Sequence, residues 1–296
     1  MKEGRHEVLA ACLLVVMTVV GGNVVEAEKA LKVFISIDME GVTGVANWED
    51  VERDGKDYPI FREIMTREAN AAVEGAAAAG AREIWVRDSH GTGRNILPEM
   101  LDRRAILVRE WSGGPKSMME GIDESFDAAI FVGYHAKAGT PDSLLEHTSS
   151  GKVTDFSVNG ISMPEAGYNA LIAGHYGVPV AFAAGDRALC EQITALLGDV
   201  ETVAVKRGIG AAQVSPHPEV TCMQISQGVD KALRRLGDFS PYRLDTPYTL
   251  VVKLKDEEMV HKGSHYPGVT RTGEWELSFT SDDFLEIMKA FSYVRR

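Results

Sequence analysis

Short apolar segments rich in β-branched residues alternate with longer amphipathic segments from Lys32 onward, and few folds accommodate such an order. Residues 33–37, Val-Phe-Ile-Ser-Ile, have the length and composition of a buried strand. The next segment opens near Pro59, keeps its apolar residues on one helical face and stops at Gly80, as helices commonly do. The alternation predicts helices packed on the two faces of a sheet.

The same alternation continues through the first two thirds of the chain. Further strands are predicted at residues 83–87, 105–108, 128–132, 178–184 and 202–205, and further helices at residues 164–176 and 189–197. Strands that are apolar on both faces and separated by helices predict an α/β protein, a three-layer fold with a largely parallel sheet.

The pattern changes after residue 210, where prolines and glycines become frequent. A helix is predicted at residues 220–236, a strand at 249–254 and a final helix at 285–293. We interpret residues 28–210 as the main α/β domain. Residues 211–296 are then a smaller C-terminal α+β lobe, or an elaboration of the same domain.

Residues 1–27 are predicted to be a secretory signal peptide outside the fold. Lys2 and Arg5 precede a thirteen-residue segment, 8–20, in which one residue is polar, and small residues lead up to Ala27. Spanning a bilayer takes about 20 apolar residues, so this segment is too short. We expect cleavage after Ala27 and a secreted or periplasmic mature chain without stable membrane insertion. The alternatives are a lipoprotein, an uncleaved membrane anchor, or a cytoplasmic protein with an extended N-terminus.

Charge and cysteine content bear on the partners that the chain can have. The net charge is −12, from 31 basic and 43 acidic residues, and no run of like charges forms a basic tail. We therefore expect no nucleic-acid partner, because nothing would neutralise the phosphates. The three cysteines lack the paired spacing of a structural zinc site, although Cys190 and Cys222 could form a disulfide in an oxidising compartment.

Acidic and imidazole side chains follow three of the predicted strands. Asp38 and Glu40 follow the first, His90 the second and His135 the fourth. Ligands of open α/β sheets bind beyond the carboxyl ends of the strands, so these side chains are expected to meet at one edge. Imidazole and carboxylate together suit one or two zinc ions, with Asp38 as the natural bridging group. The hypothesis depends on the coincidence, since any one of these residues alone is more commonly a capping or hydrogen-bonding group.

Asp88 also ends the second predicted strand, two residues before His90. A carboxylate in this place is a candidate for orienting an imidazole behind a metal. Capping of the following turn is the alternative.

Four motifs occur in order along residues 32–206. They are Ile-Asp-Met-Glu-Gly at 37–41, Asp-Ser-His-Gly at 88–91, Gly-Tyr-His-Ala-Lys-Ala-Gly-Thr-Pro at 133–141 and Pro-Glu-Ala-Gly-Tyr-Asn-Ala at 164–170. In order and spacing they resemble the D-aminopeptidase family, which are dinuclear zinc metallopeptidases.

The resemblance implies a pair of zinc ions per subunit and a set of five ligands. Those ligands fall on Asp38, Glu40, His90, His135 and Glu165, with Asp38 bridging. Glu165 enters through the resemblance alone, since its pattern is that of an acid in the first turn of a helix. The catalytic histidine of the family falls on His147, and its role as general base, oxyanion donor or nucleophile stays open.

The function that the resemblance implies is a zinc-dependent aminopeptidase in the main domain. It would remove N-terminal D-residues from short peptides or amides by a metal-activated water, and it would assemble as a homo-oligomeric ring built from pentamers, up to a decamer. The alternatives are a dinuclear-metal hydrolase of another amide or a phosphoester, and a metal-dependent protein that binds peptides without cleaving them. Selectivity for D- over L-residues depends on the handedness of the pocket, which the ligand residues do not determine.

Overall fold

The computed structural model describes residues 30–295, so the predicted signal segment and Cys12 lie outside the described residues. The strands in chain order are β1 (Leu31–Ile37), β2 (Ala81–Asp88), β3 (Ala105–Val108), β4 (Ala128–Tyr134), β5 (Val153–Val158), β6 (Ile161–Ser162), β7 (Val180–Asp186), β8 (Glu201–Ile209), β9 (Ala212–Val214), β10 (Tyr248–Leu254), β11 (Thr270–Arg271) and β12 (Glu276–Ser281). The helices are α1 (Tyr58–Ala78), α2 (Glu165–His175), α3 (Arg187–Leu197), α4 (Pro218–Arg234), α5 (Glu257–Gly263) and α6 (Phe284–Val294).

Seven strands form the larger sheet, in the order β3-β2-β1-β4-β7-β8-β9. The pairs from β3 to β8 are all parallel, and β9 is added antiparallel at the edge. The predicted α/β class and largely parallel sheet are therefore confirmed. The central strand β4 is buried along its whole length, which is why its sequence is apolar on both faces.

Alternate residues of β1 show how the layers are built. Val33 and Ile35 pack in an apolar cluster that contains residues of α1 and α4, whereas Phe34 packs in a second cluster with residues of α2, α3 and α6. Successive side chains of a strand point to opposite faces, so one short segment contributes to two cores. The sheet is thus the middle of three layers, as predicted.

A smaller antiparallel sheet, in the order β11-β12-β10-β5-β6, lies on the α2 and α6 side. Its strands come from both sides of residue 210, while α4, which follows that residue, packs on α1 of the main layer. The division of the chain at residue 210 stays a prediction. The structure adds that the two segments share both apolar clusters.

Strands β5, β6, β9, β11 and β12 and helix α5 have no counterpart in the predicted elements. Residues 153–158, Val-Thr-Asp-Phe-Ser-Val, mix polar and apolar side chains without strict alternation, and Thr154 and Asp155 are less buried than the other four. The partner strand β10 lies about a hundred residues further along the chain, so no local sequence pattern predicts the pairing of β5 with β10.

Two further observations concern compartment and membrane. Cys190 and Cys222 are free thiols, so the suggested disulfide does not form in the structure. Within residues 30–295, no helix is long and apolar enough to cross a membrane.

Glu68 of α1 is a fully buried acid outside the strand-end cluster. Its Oε1 accepts hydrogen bonds from the N–H of Thr43 at 3.0 Å and from the Thr43 hydroxyl at 2.5 Å. Its Oε2 has no hydrogen-bond partner among the described residues. Burial raises the pKa of Glu68 from 4.5 to about 7, against the opposing hydrogen bonds from Thr43.

This raised pKa predicts a pH-dependent loss of stability. The folded protein holds a proton that the unfolded chain has released, so stability falls as the pH rises from 4.5 to about 7. Glu68→Gln keeps an acceptor for Thr43, and we expect it to raise the free energy of unfolding at pH 8 by roughly 2–3 kcal/mol. Urea unfolding at pH 4.5 and pH 8 measures the effect. The exposed Glu63 of the same helix supplies the control, Glu63→Gln. A Glu68→Gln gain of equal size at both pH values would contradict the assignment.

Candidate metal centre

The strand order places three strand ends side by side. β1 lies between β2 and β4, with Ile37 opposite Asp88 on one side and Val132 on the other. The pairing continues past the strand ends, because Ser89 N–H donates to the Ile37 carbonyl at 2.8 Å and Asp38 N–H to the Val132 carbonyl at 2.9 Å. The loops that carry Asp38, His90 and His135 therefore leave the sheet together, as the sequence predicts.

Two close-approach glycines hold the first and third of these loops against each other. Gly41 N–H donates to the Gly133 carbonyl at 2.8 Å. A Cβ on Gly41 would lie 1.8 Å from the Tyr134 carbonyl oxygen, and one on Gly133 would lie 2.2 Å from the Asp38 carbonyl oxygen. Only glycine permits this approach, and it brings Glu40 and His135 into one site.

The first group of potential ligands consists of Asp38, Glu40 and His90, all buried and with ligand atoms within 4.8 Å of one another. His90 Nδ1 lies 2.9 Å from Glu40 Oε2 and 3.4 Å from Asp38 Oδ1. A second group, within the same distance limit, consists of His135, His147 and Glu165.

Asp38 connects the two groups. Its Oδ1 faces His90, while its Oδ2 lies 3.6 Å from His135 Nε2. His135 Nε2 also lies 3.5 Å from Glu165 Oε1. A carboxylate with one oxygen toward each group could bridge two cations, and the bridging role of Asp38 stays a prediction.

Backbone carbonyls fix the orientation of all three imidazoles. His90 Nε2 lies 3.0 Å from the Val51 carbonyl oxygen, and His135 Nδ1 lies 2.9 Å from that of Ala136. His147 Nδ1 lies 2.8 Å from the Leu145 carbonyl oxygen. A carbonyl accepts only, so these nitrogens carry protons, and the other nitrogen of each ring faces the carboxylates, where it would hold a second proton or bind a metal through its lone pair.

His135 Nε2 supplies the sharpest test of whether a metal fits. This nitrogen is fully buried and has no hydrogen-bond partner within the described part of the chain. A buried polar atom without a partner is costly, and three carboxylates stand beside it. A cation between the imidazole and the carboxylates would satisfy both, so the residues fit a metal of the zinc type.

Electrostatics inside the site point the same way. Burial and the neighbouring charge of Glu40 raise the pKa of Asp38 to about 8. Burial opposes ionisation of Glu165 as well, but the close approach and positive charge of His135 hold its pKa at about 2. The carboxylates raise the pKa of His135 to about 10 despite burial. The three carboxylates thus need positive charge among them, which shared protons or cations supply.

His147 lies at the open side of the group. Its Nε2 is 3.6 Å from Glu165 Oε1 and 3.9 Å from Glu40 Oε1. The His147 ring stacks on the His135 ring with centroids 4.1 Å apart. It also contacts the ring of Trp48, with centroids 5.4 Å apart. The side chain of His147 is 12% exposed, whereas that of His135 is 0% exposed, so His147 is open to solvent and His135 is not.

Glu165 begins α2 and is fixed from two sides. Its Oε1 accepts from the Ser149 N–H at 2.6 Å, and its Oε2 accepts from the Tyr168 hydroxyl at 3.1 Å. The β5–β6 pair precedes α2 in the chain, and the first turn of α2 places Glu165 Oε1 3.5 Å from His135 Nε2. No local sequence pattern carries this information.

Asp88 does not orient an imidazole. Its carboxylate accepts from the N–H groups of Asn95 at 2.5 Å and Ile96 at 2.7 Å, and from the Asn95 side chain at 2.7 Å. The same Asn95 amide donates to the His90 carbonyl at 2.7 Å. Asp88 therefore caps the following turn, which was the alternative role. It supports the backbone loop of His90 and does not contact the imidazole ring.

Two supporting residues have no counterpart among the predicted site residues. Asp186, at the end of β7, accepts from Ala136 N–H at 3.0 Å and so holds the loop after His135. Lys206 of β8 is fully buried and donates to the Glu40 carbonyl and, at 2.7 Å, to the Val45 carbonyl. An acid at a strand end was a usable signal for Asp186. A lysine within a strand gives no such signal, because the sequence does not show that it is buried.

A cavity of about 250 Å³ opens onto the site. The acids Asp38, Glu40 and Glu165 line one part of it, and the segment 111–114 with Ser117 lines another. A model of the D-aminopeptidase family, peptidase family M55, matches residues 31–293, which include every residue of the two groups.

The chain belongs to the D-aminopeptidase family.

It is thus a peptidase of a known hydrolase family, as the motifs predict. A D-aminopeptidase of Bacillus subtilis strain 168 is 32% identical to it over 264 residues, covering 88% of this chain and 95% of that protein. A solved structure, the zinc-dependent D-aminopeptidase DppA of Bacillus subtilis, described as a self-compartmentalizing protease, superimposes with a TM-score of 0.86. That comparison covers 90% of this chain and 98% of the other at 31% identity. The similarity therefore extends over both sheets, and the D-aminopeptidase fold is that of the whole described chain.

Proposed function

We propose that this chain is a zinc-dependent aminopeptidase that removes D-residues from the N-terminus of short peptides and amides. The observation that carries the proposal is the pair of ligand groups joined by Asp38, with the buried, unpartnered His135 Nε2 between carboxylates. Membership of the D-aminopeptidase family and the zinc dependence stated for the solved relative support it.

We assign two zinc ions to the five residues that the resemblance implies. Asp38, Glu40 and His90 would hold one, and Asp38, His135 and Glu165 the other. Zinc, when bound, polarises a carbonyl group and lowers the pKa of water.

The chain's own residues would select the peptide bond after the N-terminal residue and transfer a proton during its cleavage. The acids that line the cavity attract the free ammonium group of a peptide, which favours an exopeptidase. His147 has its Nδ1 committed to the Leu145 carbonyl, so its Nε2 is the atom that accepts or donates a proton beside the scissile bond. The cavity is smaller than the roughly 300–1,000 Å³ of pockets for drug-sized ligands, and this suits short peptides.

We extend the proposal to assembly and location. The self-compartmentalizing character stated for DppA supports a homo-oligomer here, for which we propose the pentamer-based ring that the motifs imply. The hydrophobic segment before Ala27 supports export and cleavage. Analytical ultracentrifugation and N-terminal sequencing of the mature protein test the two proposals separately.

The activity is tested on residues 28–296 with a panel of D- and L-aminoacyl amides, dipeptides and a phosphoester. We expect cleavage of D-alanyl substrates with kcat/KM about 100-fold above their L-counterparts, and loss of cleavage on chelation with recovery on adding zinc. Elemental analysis is expected to give about two zinc per chain. Activity that ignores the chelator would contradict the metal mechanism. Preference for L-substrates would refute the proposed selectivity, and cleavage of the phosphoester alone would favour the other hydrolase.

A further inference from the structure

Part of the cavity wall is formed by the end of α6. Ser292 and Arg295 line it there, next to Gly113 and Gly114. Arg295 is the only arginine or lysine that lines this cavity in the described part of the chain. It lies two residues beyond the segment that the family model matches.

Aromatic packing connects Arg295 to the metal-binding groups. Its guanidinium carbon lies 6.0 Å from the ring centroid of Phe291, whose ring lies 5.9 Å from that of Tyr168. The Tyr168 hydroxyl in turn donates to Glu165 at 3.1 Å. The charge of Arg295 also opposes the rise in the pKa of Tyr168 that burial and Glu165 cause. Arg295 is thus held in the cavity wall, outside the two ligand groups.

The guanidinium of Arg295 forms no ion pair with an acid among residues 30–295. Other arginines of the chain, such as Arg235 and Arg104, pair with two or more carboxylates. A guanidinium binds a carboxylate through two parallel hydrogen bonds, so an uncommitted one in a cavity wall is a receptor for that group.

We propose that Arg295 binds the free C-terminal carboxylate of the substrate. The cavity then carries acids at one part of its wall and a guanidinium at another, which matches the two charged ends of a short zwitterionic peptide. This proposal rests on the proposed aminopeptidase function and names its substrate class: di- and tripeptides with a free carboxylate, in preference to amides and to longer chains.

The test compares D-alanyl-D-alanine with its C-terminal amide, in the full mature protein and in Arg295→Met. For the free acid, Arg295→Met is expected to lower kcat/KM by about 10- to 100-fold, mostly through KM, since a charged hydrogen-bonded pair is lost. For the amide, kcat/KM should change less than about twofold, because no carboxylate is present. Arg295→Lys should recover part of the loss on the acid, because it restores the charge without the paired hydrogen bonds.

Lys253→Met provides the matched control. Lys253 of β10 is a cation of the smaller sheet that pairs with Glu276 at 3.8 Å and does not line the cavity. It should leave both substrates unaffected. Equal losses of Arg295→Met on acid and amide would mean a structural role, and no loss on either would mean no contact; both results overturn the proposal.

A binding measurement separates this inference from the proposed function. Calorimetry of D-alanyl-D-alanine and of its amide on His147→Ala, with and without Arg295→Met, needs no turnover. A weaker affinity for the acid alone in the double variant supports carboxylate recognition even if the chain cleaves no D-peptide. Equal affinities for acid and amide on His147→Ala would overturn the recognition while leaving the peptidase assay to decide the function.

Discussion

His135→Ala is expected to lower kcat/KM on D-aminoacyl substrates by about three orders of magnitude or more and to reduce the bound zinc. The physical reason is that His135 Nε2 is buried, unpartnered and 3.5–3.6 Å from two carboxylate oxygens. Without the imidazole, Glu165 and Asp38 would face each other with fewer neutralising groups, and the zinc ion proposed between them would lose a ligand. Metal content by elemental analysis and steady-state kinetics measure the two effects.

The control is His217→Ala, at the N-terminal cap of α4, because that histidine is 67% exposed and lies outside both ligand groups. It should keep full activity and full zinc. His135→Asn retains a polar side chain in the buried site and separates metal loss from unfolding, which circular dichroism follows. Full zinc and full activity in His135→Ala would contradict the assignment of this histidine as a ligand.

Part of this site is local in the sequence and part is not. Asp38, His90 and His135 each follow a strand whose apolar pattern is readable, and parallel pairing of neighbouring strands is enough to bring them together. Glu165 instead begins a helix that follows the β5–β6 pair, and β5 itself pairs with β10, about a hundred residues further along the chain. Only the family motif could place it.

The orientation of the imidazole rings could not be predicted from the sequence either. The imidazole of His90 is fixed by the Val51 carbonyl and that of His135 by the Ala136 carbonyl. Every residue has a backbone carbonyl, so the sequence does not indicate which of them a histidine contacts. The role of Asp88 could not be predicted from the sequence for a related reason. An acid two residues before a histidine suits either an orienting or a capping role, and the amide groups that choose between the roles are set by the fold of residues 95–96.

Removing the imidazole of His147 is expected to lower kcat by about 10²- to 10⁴-fold while leaving the zinc content unchanged. His147 lines the cavity and belongs to the second group of potential ligands, but in the proposed zinc site Asp38 takes the third ligand position beside His135 and Glu165. Its fixed Nδ1 leaves Nε2 for proton transfer at the scissile bond. Loss of a proton-transfer group slows the chemical step and affects binding little, so KM should change much less than kcat.

His147→Gln distinguishes the roles that the sequence leaves open. A glutamine amide can donate a hydrogen bond to a developing oxyanion but cannot accept a proton, so the proton-transfer role predicts that His147→Gln is as slow as His147→Ala. Recovery in His147→Gln to within about tenfold of the unsubstituted enzyme would identify His147 as an oxyanion donor instead. Unchanged turnover in both variants would remove His147 from the chemistry, and bound peptide that is never cleaved would favour a binding protein. The stacking of His147 on His135 makes metal content the necessary companion measurement, because a disturbed His135 would lower kcat by a different route.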